Sequence, residues 1–580
     1  MKFSQVWDLD SIFKGGSSSS SFLSAIETVK KELKTLNDTL ESGSISKAIS
    51  MVQSIGLTLR EMDTFALCLQ SQNTDDNQAT ILCQKLRDLM TCFENSNLLL
   101  GFALKEMSKE DFEELLKTHS SIAFALKEKR EQMQEKLSTK EETFINDFSK
   151  DGYHAWGELW ETVIGEMTFP FQGEMLHFGQ IENKLSNPKR ELRQEAFDSI
   201  EKGFEKRKAS FSQALNHLGG FRLEIYEKRN WSDPLKEPLE LNRQSKDSLM
   251  AMWDAIAESR DVLIKYLMCK ADLLKLNALS WIDLSAPLST LDETITYDEA
   301  AKIILEQFET FSPKLSAFSK KALKNKWVEA EDRKGKSAGG YCCALPNVKE
   351  SRIFMTFSKT ITNLYTLAHE LGHAFHNEVL FPLDEMVQHP TMGLAETAST
   401  MAEMIVTKAM IKKEKDPKKK LFLLDDHLSR AVSYLFNIYA RFLFETRFYE
   451  KRKEGALSYD ELSKIMEEAQ KEAYGNALSA YHPLFWAAKM HFFITEYPFY
   501  NFPYTFGYLF SLGIYSHSKN ADNFEDILIP LLEDTGRMSA EDLAQKHLGA
   551  DLKRKEFWQQ GLNIIHEDIH EFIKLSKEVS

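Results

Sequence analysis

The sequence predicts a mainly α-helical protein with one small β-ribbon. Three observations carry this. Apolar residues recur at three- and four-residue spacing in segment after segment. Only 14 prolines interrupt 580 residues. The helical texture breaks clearly at one place, Ser337 to Phe357, immediately before an apolar helix that carries three histidines.

The elements follow in order. "GGSSSSS", Gly15 to Ser21, is expected to be a flexible connection. Helices are expected over Phe22–Leu40, Ser44–Gln70, Ala79–Leu100, Asp111–Lys117 and Ala123–Phe148. "SNPKREL" starts another, with Ser186 near the cap and Pro188 in the first turn. It should run to about Glu227, and a further helical stretch should span Ser245–Leu276. In "SAGGYCCALPNVKESRIFMTF", two glycines precede Tyr341–Leu345, a Pro346–Asn347 turn follows, and "RIFMTF" is rich in strand formers. That pattern predicts a hairpin. The expected division is a helical N-terminal region, 1–190, and a catalytic region, 191–580.

Apolar residues make up 43% and charged residues 27%, the balance of an ordinary globular protein. A net charge of −15 disfavours nonspecific nucleic-acid binding, which needs basic surface to neutralise phosphates. No run of some eighteen apolar residues predicts a membrane span. The first residues, "MKFSQVWDLDSIFKGG", lack the apolar core of a secretion signal. Six cysteines without CxxC spacing do not make a disulfide framework, and a cytoplasmic location is expected. Cys342 and Cys343 read as residues of the strand.

"LYTLAHELGHAFHN" holds His369, Glu370, His373 and His376. On a helix, His369 and His373 lie about 40° apart around the axis and about 6 Å along it. Both imidazoles can reach one small cation, and two nitrogen ligands from one helical turn suit zinc. Glu370 is rotated off that face, towards a water beside the metal, where a carboxylate can take a proton. His376 sits about 7–8 Å along the axis from the midpoint of the other two. It is expected to support the site or the helix end. The longer zinc motif with a third histidine is absent: Val379 stands where that histidine would be.

A catalytic zinc usually takes a third protein ligand. The downstream acids are Glu378, Asp384, Glu385, Glu396 and Glu403. Glu378 is too far along the same helix, and Asp384 and Glu385 follow Pro382 in a loop. Glu396 lies in "TMGLAETASTMAEM" among Ala395, Thr397, Ala398, Ser399 and Thr400. These small residues let two helices approach closely enough for a short carboxylate to share an ion with the histidines. Glu403, seven residues on, lies on the same face and is placed to orient a ligand histidine.

"HFFITEYPFYNFPYTFGYLF", His491 to Phe510, offers a helix start at Asn501 and Pro503. Tyr500, Tyr504 and Tyr508 recur every four residues. They read either as aromatic core or as hydroxyl donors for a developing oxyanion.

These residues together resemble a known family. "HELGHAFH" followed by "ETASTMAE", with "WDLDSIF", "GGSSSS", "GGYC" and "PFYNFPYTFGYLF", is similar to the oligoendopeptidase F group of thimet-oligopeptidase-like zinc metallopeptidases. The resemblance implies a mostly helical, ellipsoidal zincin-type fold with a deep substrate channel. It implies cleavage of internal bonds in short unstructured peptides. It matches His369, His373 and Glu396 to the ligands of one zinc ion per chain and Glu370 to the catalytic glutamate. It places His491, Tyr500, Tyr504 and Tyr508 in a histidine–tyrosine region, and likens the Tyr341 segment to the strand edge that receives substrate backbone. Two other readings compete: a zinc exopeptidase, and a noncatalytic helical peptide-binding protein.

Overall fold

The helical periodicity read from the sequence is realised in three dimensions. The computed structural model describes residues 2–288, 294–518 and 524–579. Among the described residues five strands interrupt the helices: β1 (Thr168–Phe171), β2 (Glu174–His177), β3 (Val328–Glu329), β4 (Tyr341–Leu345) and β5 (Glu350–Phe354). The chain forms two units. One comprises Met1–Lys136, Glu293–Ala409 and Ala521–Leu543; the other comprises Leu137–Asp292, Met410–Asn520 and Ala544–Ser580.

In the first unit, helices Ser20–Glu41, Ile45–Gln72 and Asn77–Glu106 lay their apolar stripes together. Phe13, Phe22 and Phe65 meet there with ring centroids 5.0 Å apart in each pair. The serine run is ordered rather than loose. Ser19 is 1% exposed, and its hydroxyl accepts the Phe22 N–H as a helix cap. The expected hairpin is β4–β5, antiparallel, pairing Tyr341 with Phe354. A third strand, β3, joins β5 in parallel, giving the order β3-β5-β4 and leaving β4 at the edge. The N-terminal segment clamps this sheet: Trp7 packs on Phe354, and the Arg352 guanidinium donates to the Asp8 carbonyl at 2.9 Å. Helix Ile361–Leu380 follows the sheet, capped by Thr360 with Asn363 returning the bond.

In the second unit, helix Arg190–Lys228 is a 39-residue spine. Its start differs from expectation. Ser186 ends a 3₁₀ turn, and Lys189 is the N-cap. The cause is Arg193, which donates to the carbonyls of Asn187 and Pro188 and so holds them outside the helix. The expected helix Ala123–Phe148 is two helices, Ala123–Glu135 in the first unit and Thr139–Ser149 in the second, because Ser138 and Glu141 form a capping box. Likewise Ser245–Leu276 divides at Ser259. The β1–β2 hairpin was not legible, since its four-residue strands resemble any short apolar run. No helix among the described residues is long and apolar enough to cross a membrane.

A buried ion pair pins the spine. Asp283, 0% exposed, accepts from Arg193 Nη2 at 2.8 Å, Arg190 Nε at 3.1 Å and Ser280 Oγ at 2.8 Å. Burial alone would raise its pKa. The hydrogen bonds from Arg190, Arg193 and Ser280 outweigh burial and hold the carboxyl below the usual carboxylate range. A lowered carboxylate pKa stabilises above that range and loses its contribution as pH falls through the folded pKa. Asp283→Asn should therefore cost about 3–5 kcal/mol at pH 7, because Arg193 is left charged and buried. Urea denaturation at several pH values checks this: the gap from wild type should narrow as pH falls through the lowered pKa of folded Asp283.

Candidate metal centre

The histidine helix Ile361–Leu380 and the helix Met392–Lys413 meet along small residues. Gly372 is the closest point. A Cβ built on it would lie 2.6 Å from the Ala398 carbonyl oxygen and 2.6 Å from Ser399 Cα. Only glycine permits that approach. Ala398 and Ser399 are themselves buried, at 6% and 0%.

This contact brings His369, His373 and Glu396 together, and they form the one group of potential metal ligands found among the described residues. Glu396 Oε2 lies 3.3 Å from His369 Nε2 and 3.4 Å from His373 Nε2. Nitrogen and oxygen ligands about 2.0–2.1 Å from a tetrahedral ion sit about 3.3–3.4 Å from one another, so these residues fit zinc. The three side chains are 21%, 22% and 20% exposed, which leaves one side accessible to a water or substrate.

Supporting contacts fix the ligands. His369 Nδ1 lies 3.2 Å from Glu403 Oε2, so a carboxylate orients the ring. Ser399 Oγ donates to Glu396 Oε2 at 2.9 Å. Burial opposes charge on His369, but hydrogen bonds with Glu396 and Glu403 pull its pKa up to about 10. Burial would likewise raise Glu396, yet the two histidines hold it well below the carboxylate range. The two carboxylates thus make a site that favours positive charge.

Glu370 is 7% exposed. Burial raises its pKa, with His369 and His373 opposing. Its Oε2 makes no hydrogen bond among the described residues. Its other oxygen lies 3.9 Å from the position a Cβ would take on Gly340, beside β4. A buried carboxylate with a free oxygen next to two imidazoles is equipped to exchange a proton.

His376 stands apart from this group. It is 3% exposed, and its Nε2 lies 2.9 Å from Thr535 Oγ1 and 3.3 Å from the Leu532 carbonyl. Burial lowers its pKa to about 4, so the ring is neutral at pH 7 and ties the histidine helix to helix Glu525–Asp534. Glu378 pairs with Lys321 at the surface, and Glu385 with His389.

The aromatic residues lie in the second unit, in two groups. Helix Phe502–Ser518 begins after Tyr500, so the three tyrosines do not share one helical face. His491 and Tyr500 have ring centroids 5.2 Å apart, and the Tyr504 and Tyr500 hydroxyls are 3.4 Å apart. Tyr508 instead stacks on Tyr434, centroids 4.6 Å apart. Burial, with Arg441 and Lys489 adding to it, lowers the His491 pKa to about 4. Tyr434 was missed in the sequence because its partner lies 74 residues away.

Comparison with known proteins places these features in context. A family model described as Peptidase family M3 matches residues 184–563, and one described as Oligopeptidase F matches 104–169. The chain is 24% identical over 535 residues to "Oligoendopeptidase F, chromosomal" of Lactococcus lactis subsp. cremoris, covering 87% of this chain and 86% of that one. It is 21% identical to "Oligopeptidase PepF" of Bacillus subtilis over 100% of this chain and 88% of that protein. Its fold is that of the crystal structure of oligoendopeptidase-F from Enterococcus faecium, with TM-score 0.71, 18% identity, and coverage of 96% and 99%. PZ peptidase A, solved with an inhibitor, superposes with TM-score 0.73 at 14% identity, covering 94% and 97%.

Two substitutions test the geometry. Gly372→Ala drives a methyl into backbone that cannot yield as a side chain would. It should destabilise by about 1–3 kcal/mol and weaken zinc binding in a chelator competition. Glu403→Gln keeps the ligands but loses the carboxylate behind His369; zinc affinity should fall about 10–100-fold with the thermal midpoint of the metal-free protein little changed.

Proposed function

Because the chain belongs to peptidase family M3, we propose that it is a zinc-dependent endopeptidase that cuts internal bonds of short, unstructured peptides. One observation carries the reading. Two imidazoles and a carboxylate converge at 3.3–3.4 Å beside a buried glutamate with an unpartnered oxygen.

His369, His373 and Glu396 would hold one zinc ion per chain. When bound, zinc supplies Lewis acidity, polarising a carbonyl and acidifying water. Glu370 takes the proton of the attacking water at its free Oε2, aided by a pKa already raised by burial. It then delivers that proton to the leaving amine nitrogen. Glu403 keeps the His369 ring in one orientation throughout. Negative charge developing on the carbonyl oxygen needs a donor, a role we assign to the group His491, Tyr500 and Tyr504. Tyr508 fits that role less well, since its ring is stacked and buried. Strand β4 lies at the edge of its sheet, with no strand on its outer side among the described residues, a position suited to an extended peptide backbone. The two family models end at 169 and begin at 184, close to the expected division at residue 190, whereas the compact unit Leu137–Asp292 runs across it.

Glu370→Gln should lower turnover of an internally quenched peptide with blocked ends by about 10²–10⁴-fold. Metal analysis of the same sample should still find zinc. Full turnover in this variant sinks the assignment of Glu370. Failure of wild type to cut any end-blocked peptide sinks the endopeptidase reading.

A further inference from the structure

The second unit holds an open cavity of about 340 Å³ that none of the chemistry above uses. That volume lies at the small end of ligand pockets. Its walls include Trp281, Tyr474 and Phe485. Its charged members are Arg441, Lys489 and Glu182.

The charges do not cancel. Lys489 Nζ pairs with Glu182 Oε1 at 2.7 Å. Arg441 has no carboxylate within ion-pair distance among the described residues. Its Nε donates to Asn437 Oδ1 at 2.7 Å, and its Nη1 to Asn501 Oδ1 at 2.8 Å. These amides orient the guanidinium without neutralising it. Nη2 makes no hydrogen bond among the described residues. Arg441 Cζ and Lys489 Nζ lie 5.2 Å and 5.5 Å from the centre of the Phe485 ring. Burial lowers the Arg441 pKa to about 10, with Tyr474, Glu182 and Tyr504 opposing, and the group is still charged at neutral pH.

We propose that this cavity binds a small monocarboxylate carrying an apolar group, with Arg441 Nη2 donating to the carboxylate and the aromatic walls taking the apolar part. One uncompensated positive charge calls for one negative charge, not a phosphate dianion. Guanidinium–carboxylate hydrogen bonds are strong when both partners are shielded from water. A free carboxylic acid and the C-terminus of a peptide share this chemistry.

The test uses the zinc-loaded full chain and reads binding, so it does not depend on turnover or on the role of Glu370. 3-Phenylpropionate and 3-phenylpropionamide are titrated by calorimetry and by ligand-observed NMR. The acid should bind at least tenfold more tightly than the amide. Arg441→Gln should weaken the acid at least tenfold, and Arg441→Lys less. Ser285, an exposed residue of the cavity wall, gives a second variant. Ser285→Phe should block binding while Arg441 and its two amide contacts stay intact. Acetyl-Ala-Phe as free acid is then competed against 3-phenylpropionate: displacement identifies a peptide terminus as a ligand, and no displacement restricts the site to small acids. Equal binding of acid and amide overturns the proposal. So does absence of binding at 5 mM acid, or binding unchanged in both Arg441→Gln and Ser285→Phe.

Discussion

The closeness of two helices at Gly372 is the constraint on which the metal centre depends. His369 and His373 are set by one helix, and its geometry delivers them without further help. Glu396 comes from another helix and has a short reach. It meets both imidazoles at 3.3–3.4 Å only because Gly372 lies against the backbone of Ala398 and Ser399. A side chain at 372 would separate the helices by roughly the radius of a methyl group. The ligand set would then open beyond what a tetrahedral ion about 2 Å from each donor can span.

Around that contact, each polar group has a task that follows from where it is buried. Glu403 faces His369 Nδ1, and Ser399 holds the Glu396 oxygen that faces both rings. His376 ties the histidine helix to Thr535 and the Leu532 carbonyl. Glu370 is the exception: one oxygen is left without a hydrogen bond in a place where an unsatisfied acceptor is costly. An arrangement that satisfies its neighbours and leaves this oxygen free is what a proton acceptor requires.

Much of this could be read from residue spacing because it is local. The interval from His369 to His373 fixes a shared face, and the small residues around Glu396 announce a close helix contact before any partner is known. The β4–β5 hairpin was marked by its glycines and strand formers. What escaped depends on distant partners or on chain trajectory. Arg193 moves a helix start by holding the Asn187 and Pro188 carbonyls. Tyr508 leaves the apparent four-residue series by stacking on Tyr434, and Tyr500 lies before the helix begins. Three disjoint stretches contribute to each unit, and no composition shift marks such crossings.

Several buried cations elsewhere in the molecule are paired, which gives the Arg441 cavity its significance. Arg193 meets Asp283, Lys270 meets Asp425 at 3.0 Å, and Lys336 meets Glu329 at 3.3 Å. Arg222 lacks a carboxylate at hydrogen-bond distance, but its Nη1 and Nη2 are taken by Tyr449, Tyr153 and the Thr495 carbonyl. Arg441 has neither remedy. Amide oxygens take Nε and Nη1, Nη2 makes no hydrogen bond among the described residues, and the residue lines the cavity. Desolvating a cation without a partner is unfavourable, and the protein could remove the cost by closing the cavity or placing an acid there. It leaves the cavity open, and the one acid in its wall, Glu182, is shared with Lys489. A fixed, oriented and uncompensated guanidinium between aromatic walls is therefore half of an ion pair, whose other half comes from outside the chain.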